Sequence, residues 1–156
     1  NNGVVLILSN VISYPTQSIA EIISSDPDFS TLLAALVKVS LVNIFNNNGK
    51  YTFFAPTNNA FEAAGLNTSV INDPSTPVSA VATILKSHVI GTNVFASDLI
   101  QGSMAPTLQS GVSLIIGTNP PSIKISGSSN YPSNITSANI IATNGVIHVI
   151  DKVMLP

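Results

Sequence analysis

The sequence predicts an α+β domain, with helices in the first half of the chain and short strands in the second. Apolar residues recur at helical spacing in residues 16–45 and again in residues 78–85. After Gly102 the pattern changes to short β-rich runs separated by Gly, Asn, Pro and Ser, which is typical of hairpins. This order of elements favours an α+β domain. At 156 residues, 45% of them hydrophobic, the chain can form one domain with its own core.

Three helices are predicted before the first strand. The first begins after Thr16, carries three isoleucines on one face, and stops at Asp26 and Pro27. Asp26 is placed to cap the second helix, and Pro27 occupies its favoured first position. The apolar stripe of this second helix consists of Phe29, Leu32, Leu33, Leu36 and Val37. A short third helix over residues 41–45 is followed by a turn at residues 46–49.

The stretch YTFFAPTNNAF, residues 51–61, predicts a buried strand that runs directly into a capped helix. Its first four residues are β-branched or aromatic and suit a half-buried pleated surface, whereas Pro56 removes a backbone donor and ends the strand. The Thr57 hydroxyl is placed to cap a helix over residues 58–64, and Gly65 permits a left-handed exit.

The rest of the chain supplies one more long helix and most of the sheet. A polar loop over residues 66–77 precedes a helix over residues 78–85, which we expect to pack on the sheet. A strand at residues 89–90 and a helical turn at residues 96–100 come next. Further strands are predicted at residues 107–109, 112–116, 122–126, 139–143 and 146–153.

Composition excludes several classes of protein. Charged residues make up only 8% of the chain, and five Lys without any Arg offer no basic surface for nucleic acid. The absence of Cys excludes disulfides, a thiolate zinc site and a cysteine nucleophile. The apolar runs are far shorter than the roughly 20 residues that span a bilayer. Solubility must come from 21 Ser, 12 Thr and 17 Asn, a composition that favours an extracellular setting.

The pattern of ionisable residues does not support an enzyme. His88 and His148 are the only imidazole bases, and neither accompanies a Ser in a Gly-x-Ser-x-Gly context. A metal site combining them with Asp98 or Asp151 would lack His-x-x-x-His spacing or an Asp-rich loop. We therefore predict no catalytic residue, no cofactor and no metal. Each histidine is expected in a strand, with its ring nitrogens bonded to backbone or carboxyl groups.

Two long motifs and one shorter one resemble the fasciclin-type domain, over about residues 18–156. The first motif is YTFFAPTNNAF and the second is NGVIHVIDKVMLP, residues 144–156. Between them, Ser87 and His88 lie where the family carries a central Tyr-His segment, with Ser in place of Tyr. The family-motif residues are Phe54, Ala55, Pro56, Thr57, Asn58, Phe61, His88, Asn144, Gly145, His148 and Asp151. We expect these residues to serve structure, with Thr57 and Asn58 as caps and Asp151 as a hydrogen-bond acceptor for the last strand.

The resemblance implies a fasciclin-like fold, in which helices from the N-terminal half pack on a wedge, similar to a β-sandwich, of mostly antiparallel short strands. It also implies a secreted or cell-surface module without catalysis. Fasciclin-type domains function in cell adhesion and in attachment to the matrix or cell wall, and some of them carry glycans. The implied partner is a cell-surface or matrix protein or a polysaccharide, and no Arg-Gly-Asp sequence is present. Because some members bind carotenoids, an alternative is a carrier of an apolar small molecule in a groove of the domain.

Asn67 and Asn134 head the chain's Asn-x-Ser/Thr sequons and are predicted glycosylation sites. Asn67 is followed by Thr68 and Ser69, and Asn134 by Ile135 and Thr136. Both sequons fall in predicted loops or at a strand edge, so both are expected to be accessible.

Residues 2–15, reading NGVVLILSNVISYP, repeat the C-terminal motif with the same Asn-Gly start. Residues 1–15 therefore resemble the last strand of a preceding fasciclin-type domain, and residues 16–156 form the single domain of this chain. The alternative is that residues 4–8 are simply an apolar first strand. As the tail of another domain, the segment would seek a partner strand: it could fold onto its own domain or pair with the same segment of a second copy, and we expect the homodimer.

Overall fold

The computed structural model describes residues 14–46 and 49–155 of the protein. The helices in these residues are α1 Ile19–Ser25, α2 Ser30–Lys38, α3 Asn58–Ala63, α4 Thr68–Asn72 and α5 Val78–Ser87, with 3-10 helices at Pro27–Phe29, Leu41–Asn46 and Ala96–Asp98. The strands are β1 Tyr51–Pro56, β2 Val89–Ile90, β3 Met104–Pro106, β4 Ser113–Thr118, β5 Pro121–Ile125, β6 Ser133–Ala142 and β7 Gly145–Ile150. The predicted α+β class is confirmed.

The strands form one mixed sheet in the order β2-β1-β7-β6-β5-β4-β3. β1 and β7 are parallel neighbours, whereas the other pairs are antiparallel. A bridge between Ile90 and Thr107 connects β2 to the chain just after β3, and the Leu108 N–H donates to the Val89 carbonyl at 2.8 Å. These contacts nearly close the sheet into a barrel-like wedge.

Local sequence sets where the first helices begin and end. Ser18 caps α1 in a capping box, because its hydroxyl accepts from the Glu21 N–H while the Glu21 carboxylate accepts from the Ser18 N–H. Asp26 caps the next turn, and Pro27 fills its first position, as the sequence predicts. That turn is a separate 3-10 helix, since α2 begins only at Ser30.

Two apolar clusters lie on opposite sides of β1 and β7. The first, which we call the helix-side core, joins the helices to one face of the sheet; its main members are Ile19, Ile23, Leu32, Leu36, Phe45, Phe53, Phe61, Leu85, Ile147 and Val149. The second, the interior core, lies inside the wedge and consists of Phe54, Ile90, Leu99, Leu114, Ile116, Ile123, Ile125, Ile150 and Met154. Phe53 and Phe54 face opposite ways because adjacent strand residues alternate.

The structure corrects several predicted boundaries. Residues 68–72 form α4 instead of a loop, since Asn67 caps the turn and Ile71 is buried. β6 begins at Ser133, six residues before the predicted start, because its first half presents polar side chains to solvent and looks like a loop in the sequence. β3 precedes the predicted run at residues 107–109, and β7 ends at Ile150.

Two further predictions concern α2 and the N-terminal segment. Val37, predicted on the apolar stripe of α2, is 61% exposed, because the buried side of the helix is centred on Leu32, Ala35 and Leu36. The strand expected within residues 4–8 lies outside the described residues.

In the part of the chain that the structure describes, no helix is long and apolar enough to cross a membrane.

Candidate functional site

The motif pair Asn144 and Gly145 joins the helices to the two central strands. The Asn144 Oδ1 accepts from the Ile19 N–H at 2.9 Å, and its Nδ2 donates to the Phe45 carbonyl. Its own carbonyl accepts from the Tyr51 N–H at 3.2 Å. At Gly145 a Cβ would overlap the Tyr51 carbonyl oxygen, so glycine permits the close approach of β7 to β1. The pair therefore fixes the start of α1, the end of the 3-10 helix before β1, and β1 itself.

Thr57 and Asn58 connect β1 to two helices. The Thr57 hydroxyl accepts from the Ala60 N–H at 3.4 Å and caps α3. The Asn58 Oδ1 accepts from the Thr31 N–H at 2.9 Å, and its Nδ2 donates to the Pro27 carbonyl at 2.9 Å. Asn58 thus holds the first turn of α2 against the end of β1.

The other family-motif residues named in this stretch are buried. Phe54, Ala55, Pro56 and Phe61 are all buried, and Ala55 and Phe61 belong to the helix-side core. The Phe54 ring stacks on the His148 ring with 5.4 Å between centroids, since the two residues are register partners in the parallel pair β1–β7. The motif thus supplies packing on both sides of the sheet.

His88 is fully buried at the C-terminal cap of α5 and not in a strand as predicted. Its Nδ1 lies 2.7 Å from the Ile84 carbonyl, and its Nε2 accepts from the Met154 N–H at 2.9 Å. These partners require the neutral tautomer with the proton on Nδ1. Burial lowers the pKa of His88 to about 4 from an ordinary 6.5. The ring ties the C-terminal segment to α5.

His148 takes the opposite tautomer. Its Nδ1 accepts from the Asn139 N–H at 3.3 Å, and its Nε2 donates to the Val94 carbonyl at 2.8 Å. Asn139 lies at an irregularity of β6, and its Oδ1 accepts from the Ala96 N–H at 2.8 Å. Burial lowers the pKa of His148 below its ordinary value. Together these bonds hold residues 94–96 against the sheet.

The ring nitrogens of both histidines form hydrogen bonds within the fold. All four of their ring-nitrogen partners are backbone groups, so neither ring is poised towards a hydroxyl or a carboxylate. Among the described residues no group of three or more His, Cys, Asp or Glu side chains could hold a metal ion. The His88 ring thus joins the C-terminal segment to α5, and the His148 ring holds residues 94–96 against the sheet.

Asp151 holds the end of β7 to the start of β6. Its carboxylate accepts from the backbone N–H and from the Nδ2 of Asn134, both at 2.7 Å, and the Asp151 N–H donates to the Asn134 carbonyl at 3.1 Å. Asn134, the second sequon asparagine, is therefore half-buried inside a strand. Asn67, the first, is exposed at the cap of α4, where its Oδ1 accepts from the Val70 N–H at 3.0 Å.

The outer side of β3, β4 and β5 forms a surface that the sequence analysis missed. Met104, Ile115 and Lys124 are register partners across these strands, on the side opposite Leu114 and Ile116 of the interior core. Met104 is 61% exposed, and in the described residues the helix-side core has no member on these three strands. We call this surface the uncovered face. An apolar Ile at an outward position of β4 was the signal for it.

One apolar cleft among the helices is too small to hold the ligand of the carrier alternative, whereas the depressions beside α2 and α4 and beside α3, of about 510 and 290 Å³, are wider and more open to solvent. The apolar cleft between α2, α5 and the second 3-10 helix, lined by Leu36, Phe45 and Leu85, has a volume of about 10 Å³. That is about the space of one water molecule, whereas sites for small ligands occupy roughly 300–1,000 Å³.

Comparison with known proteins agrees with this geometry. A model of the fasciclin domain matches residues 27–156. The chain is 33% identical over 157 residues to transforming growth factor-beta-induced protein ig-h3 of Sus scrofa, a match that covers 99% of this chain but 22% of that protein. It is 32% identical to protein sll1483 of Synechocystis sp., covering 96% of this chain and 79% of that one.

A solved structure supports the fold. It is a FAS1 domain pair from the insect cell adhesion molecule Fasciclin I, matched with a TM-score of 0.72 at 20% identity over 91% of this chain and 52% of that one. At that identity the likeness supports the fold alone. Because the family model covers most of the chain and its motif residues form the junctions described above, this chain belongs to the fasciclin domain family.

Proposed function

We propose that this chain is an extracellular, non-catalytic adhesion module that binds a matrix or cell-surface protein or a wall polysaccharide. Family membership and the fold shared with a domain pair of an insect cell adhesion molecule support the proposal. So does a surface whose polarity comes from hydroxyl and amide groups, with only 8% charged residues in the chain.

The observation that carries the proposal is the use of the motif residues. The side chains of Asn58, Asn144, His88, His148 and Asp151 form hydrogen bonds inside the molecule. Partner contact then falls to other surfaces, and we assign it to the uncovered face. This face is built on a hydrogen-bonded sheet and presents the exposed Met104 side chain beside the half-buried Ile115. Apolar groups of this kind contribute to association when they are removed from water.

The test compares two side chains of equal exposure on different parts of the molecule. Met104 on the uncovered face and Val37 on α2 are each 61% exposed. The folded chain is coated on a surface, and attachment of cells from the source organism and of its matrix and wall fractions is measured. We expect Met104→Asp to weaken attachment several-fold and Val37→Asp to leave it unchanged. Attachment no better than that of a heat-unfolded sample would contradict adhesion, and equal loss in both variants would contradict the assigned face.

We also propose that residues 1–15 are the last strand of a preceding fasciclin-type domain. Asn2 and Gly3 repeat the pair Asn144 and Gly145, whose bonds and close approach are specific to the last strand of the domain. The match to ig-h3 covers 99% of this chain but only 22% of the length of ig-h3. The relative is therefore long enough to contain neighbouring domains.

Deletion of residues 1–13 tests this assignment. We expect the shortened chain to keep its melting temperature, because the described sheet already has its last strand in β7. Light scattering before and after the deletion shows whether the segment pairs two copies, as we propose for the isolated chain. A monomeric full chain would contradict the dimer, and unfolding on deletion would make the segment part of this domain.

A further inference from the structure

The two sequons occupy opposite environments, and this difference selects one of them. We propose that Asn67 carries an N-linked glycan and that Asn134 remains unmodified. The inference rests on the proposed extracellular location, because the modification requires passage through a secretory pathway. It goes further by assigning the site of the modification.

The reaction places a sugar on the side-chain amide nitrogen. A bond forms between the Asn67 Nδ2 and the anomeric carbon of an oligosaccharide, and the bond from that carbon to the diphosphate of its polyisoprenyl carrier breaks. The carrier diphosphate leaves, and Nδ2 loses one proton. The co-reactant is therefore a lipid-diphosphate-linked oligosaccharide, and no oxidant or reductant is needed.

Asn67 is suited to this product because its two amide atoms have separate roles. Its Oδ1 caps α4 by accepting from the Val70 N–H at 3.0 Å, and a glycosylated amide keeps that oxygen. Its Nδ2 makes no hydrogen bond to the described residues. Asn67, Thr68 and Ser69 are all exposed, so a glycan at this corner extends into solvent. The modification leaves the cap intact.

Asn134 uses the nitrogen that the reaction would modify. Its Nδ2 donates to the Asp151 carboxylate at 2.7 Å, and its backbone N–H donates to the same carboxylate at 2.7 Å. Asn134 is also the register partner of Ser122 in β5. The side chain is half-buried in this junction. A sugar on Nδ2 would replace one of its two hydrogens, leaving one for the bond to Asp151, and would crowd this half-buried junction. A glycan at this position would therefore compete with the contact between β6 and the end of β7.

The experiment removes each sequon without touching its asparagine. Ser69→Ala and Thr136→Ala abolish the hydroxyl that the sequon requires, and both side chains are exposed. The chain is produced in a eukaryotic secretory host, and its mass is measured before and after treatment with an enzyme that removes N-linked glycans from asparagine. Secreted and cell-retained protein are both measured, so that a poorly folding variant still reports its occupancy.

We expect the unsubstituted chain and Thr136→Ala to lose the mass of one glycan on digestion, and Ser69→Ala to lose none. A glycan on Ser69→Ala, or two on the unsubstituted chain, would place sugar on Asn134 and overturn the proposal. An unsubstituted chain without glycan would also overturn it. That result would leave the adhesion proposal standing, because attachment is measured separately on the same protein.

Discussion

The two sides of the central strands β1 and β7 are built in different ways. On one side Phe53 and Ile147 pack under the helices in a core made of apolar side chains. On the other side Phe54 and His148 face the interior of the wedge, where the stacked rings meet a loop that is bonded to the histidine. The helix side has the larger apolar cluster, with Asn58 and Asn144 bonding the helix ends, whereas the interior side combines a smaller apolar cluster with the hydrogen bonds of the His148 ring.

The difference shows what each side requires of the sequence. Apolar burial is non-directional, so the helix side needs side chains of about the right volume at the right period. The interior side needs acceptors and donors at fixed positions, because a buried polar group without its partner costs about 1–3 kcal/mol. The interior side should therefore respond to single atoms and to pH, and the helix side to volume.

The largest expected effect is the loss of the ring that contacts both the interior core and His148. Phe54 is fully buried, so Phe54→Ala should lower the free energy of unfolding by about 3–5 kcal/mol. Phe54→Leu keeps most of the apolar volume and should cost about 1.5 kcal/mol or less. Denaturant titration measures both changes. A cost for Phe54→Ala below that of Phe54→Leu would contradict the burial of the ring.

The second prediction tests the pH response of the buried histidines through His88, whose ring joins α5 to Met154 of the interior core. Its pKa is about 4 in the folded protein against 6.5 unperturbed, so the unfolded state binds the proton first. Neutral His88 contributes fully to the free energy of unfolding above pH 6.5. This contribution is lost as the pH falls towards 4, and the loss is on the order of 3 kcal/mol. His148, whose pKa is also lowered by burial, adds a loss in the same direction.

The measurement compares the free energy of unfolding at pH 7 and pH 4.5 in the unsubstituted chain and in His88→Gln. Glutamine does not titrate, so the variant is less stable at pH 7 but should lose much less stability on acidification. The carboxyl groups are the same in both proteins, so their effect on stability cancels in the comparison. Equal pH dependence in the two proteins would mean that His88 is accessible to protons in the folded state.

The same contrast explains how much of this fold the sequence predicts. The strand at residues 51–56 and its capped helix follow from local signals, since Pro56 ends the strand and Thr57 caps the next element. The strand β6 was predicted six residues short, because Ser, Thr and Asn form both the loops and the solvent side of strands in this chain. Because only 8% of the residues are charged, the sequence does not distinguish a loop from the solvent side of a strand.

The sequence predicts which residues form the candidate site, but it does not predict which groups they contact. His88, Asn144 and Asp151 are visible in the motifs, yet the bond from Met154 to His88 joins positions 66 residues apart. No local pattern places a backbone N–H opposite a ring nitrogen at that separation. The uncovered face was missed for a similar reason, since exposure of Met104 depends on which strands the helices cover.

The smallest expected effect tests whether the helix-covered side also depends on a fixed polar contact. Asn58 and Asn59 are neighbours in the first turn of α3, but only Asn58 bonds Thr31 and Pro27 of the preceding helices, whereas Asn59 is exposed. Asn58→Ala should cost about 1–3 kcal/mol, because it leaves the Thr31 N–H without its partner. Asn59→Ala should change the free energy of unfolding by about 0.5 kcal/mol or less. Denaturant titration of the two variants at pH 7 provides the measurement. Equal costs for the two variants would mean that packing alone holds α2 to β1. The helix side would then depend on apolar volume and not on the hydrogen bonds of Asn58, which would sharpen its contrast with the interior side.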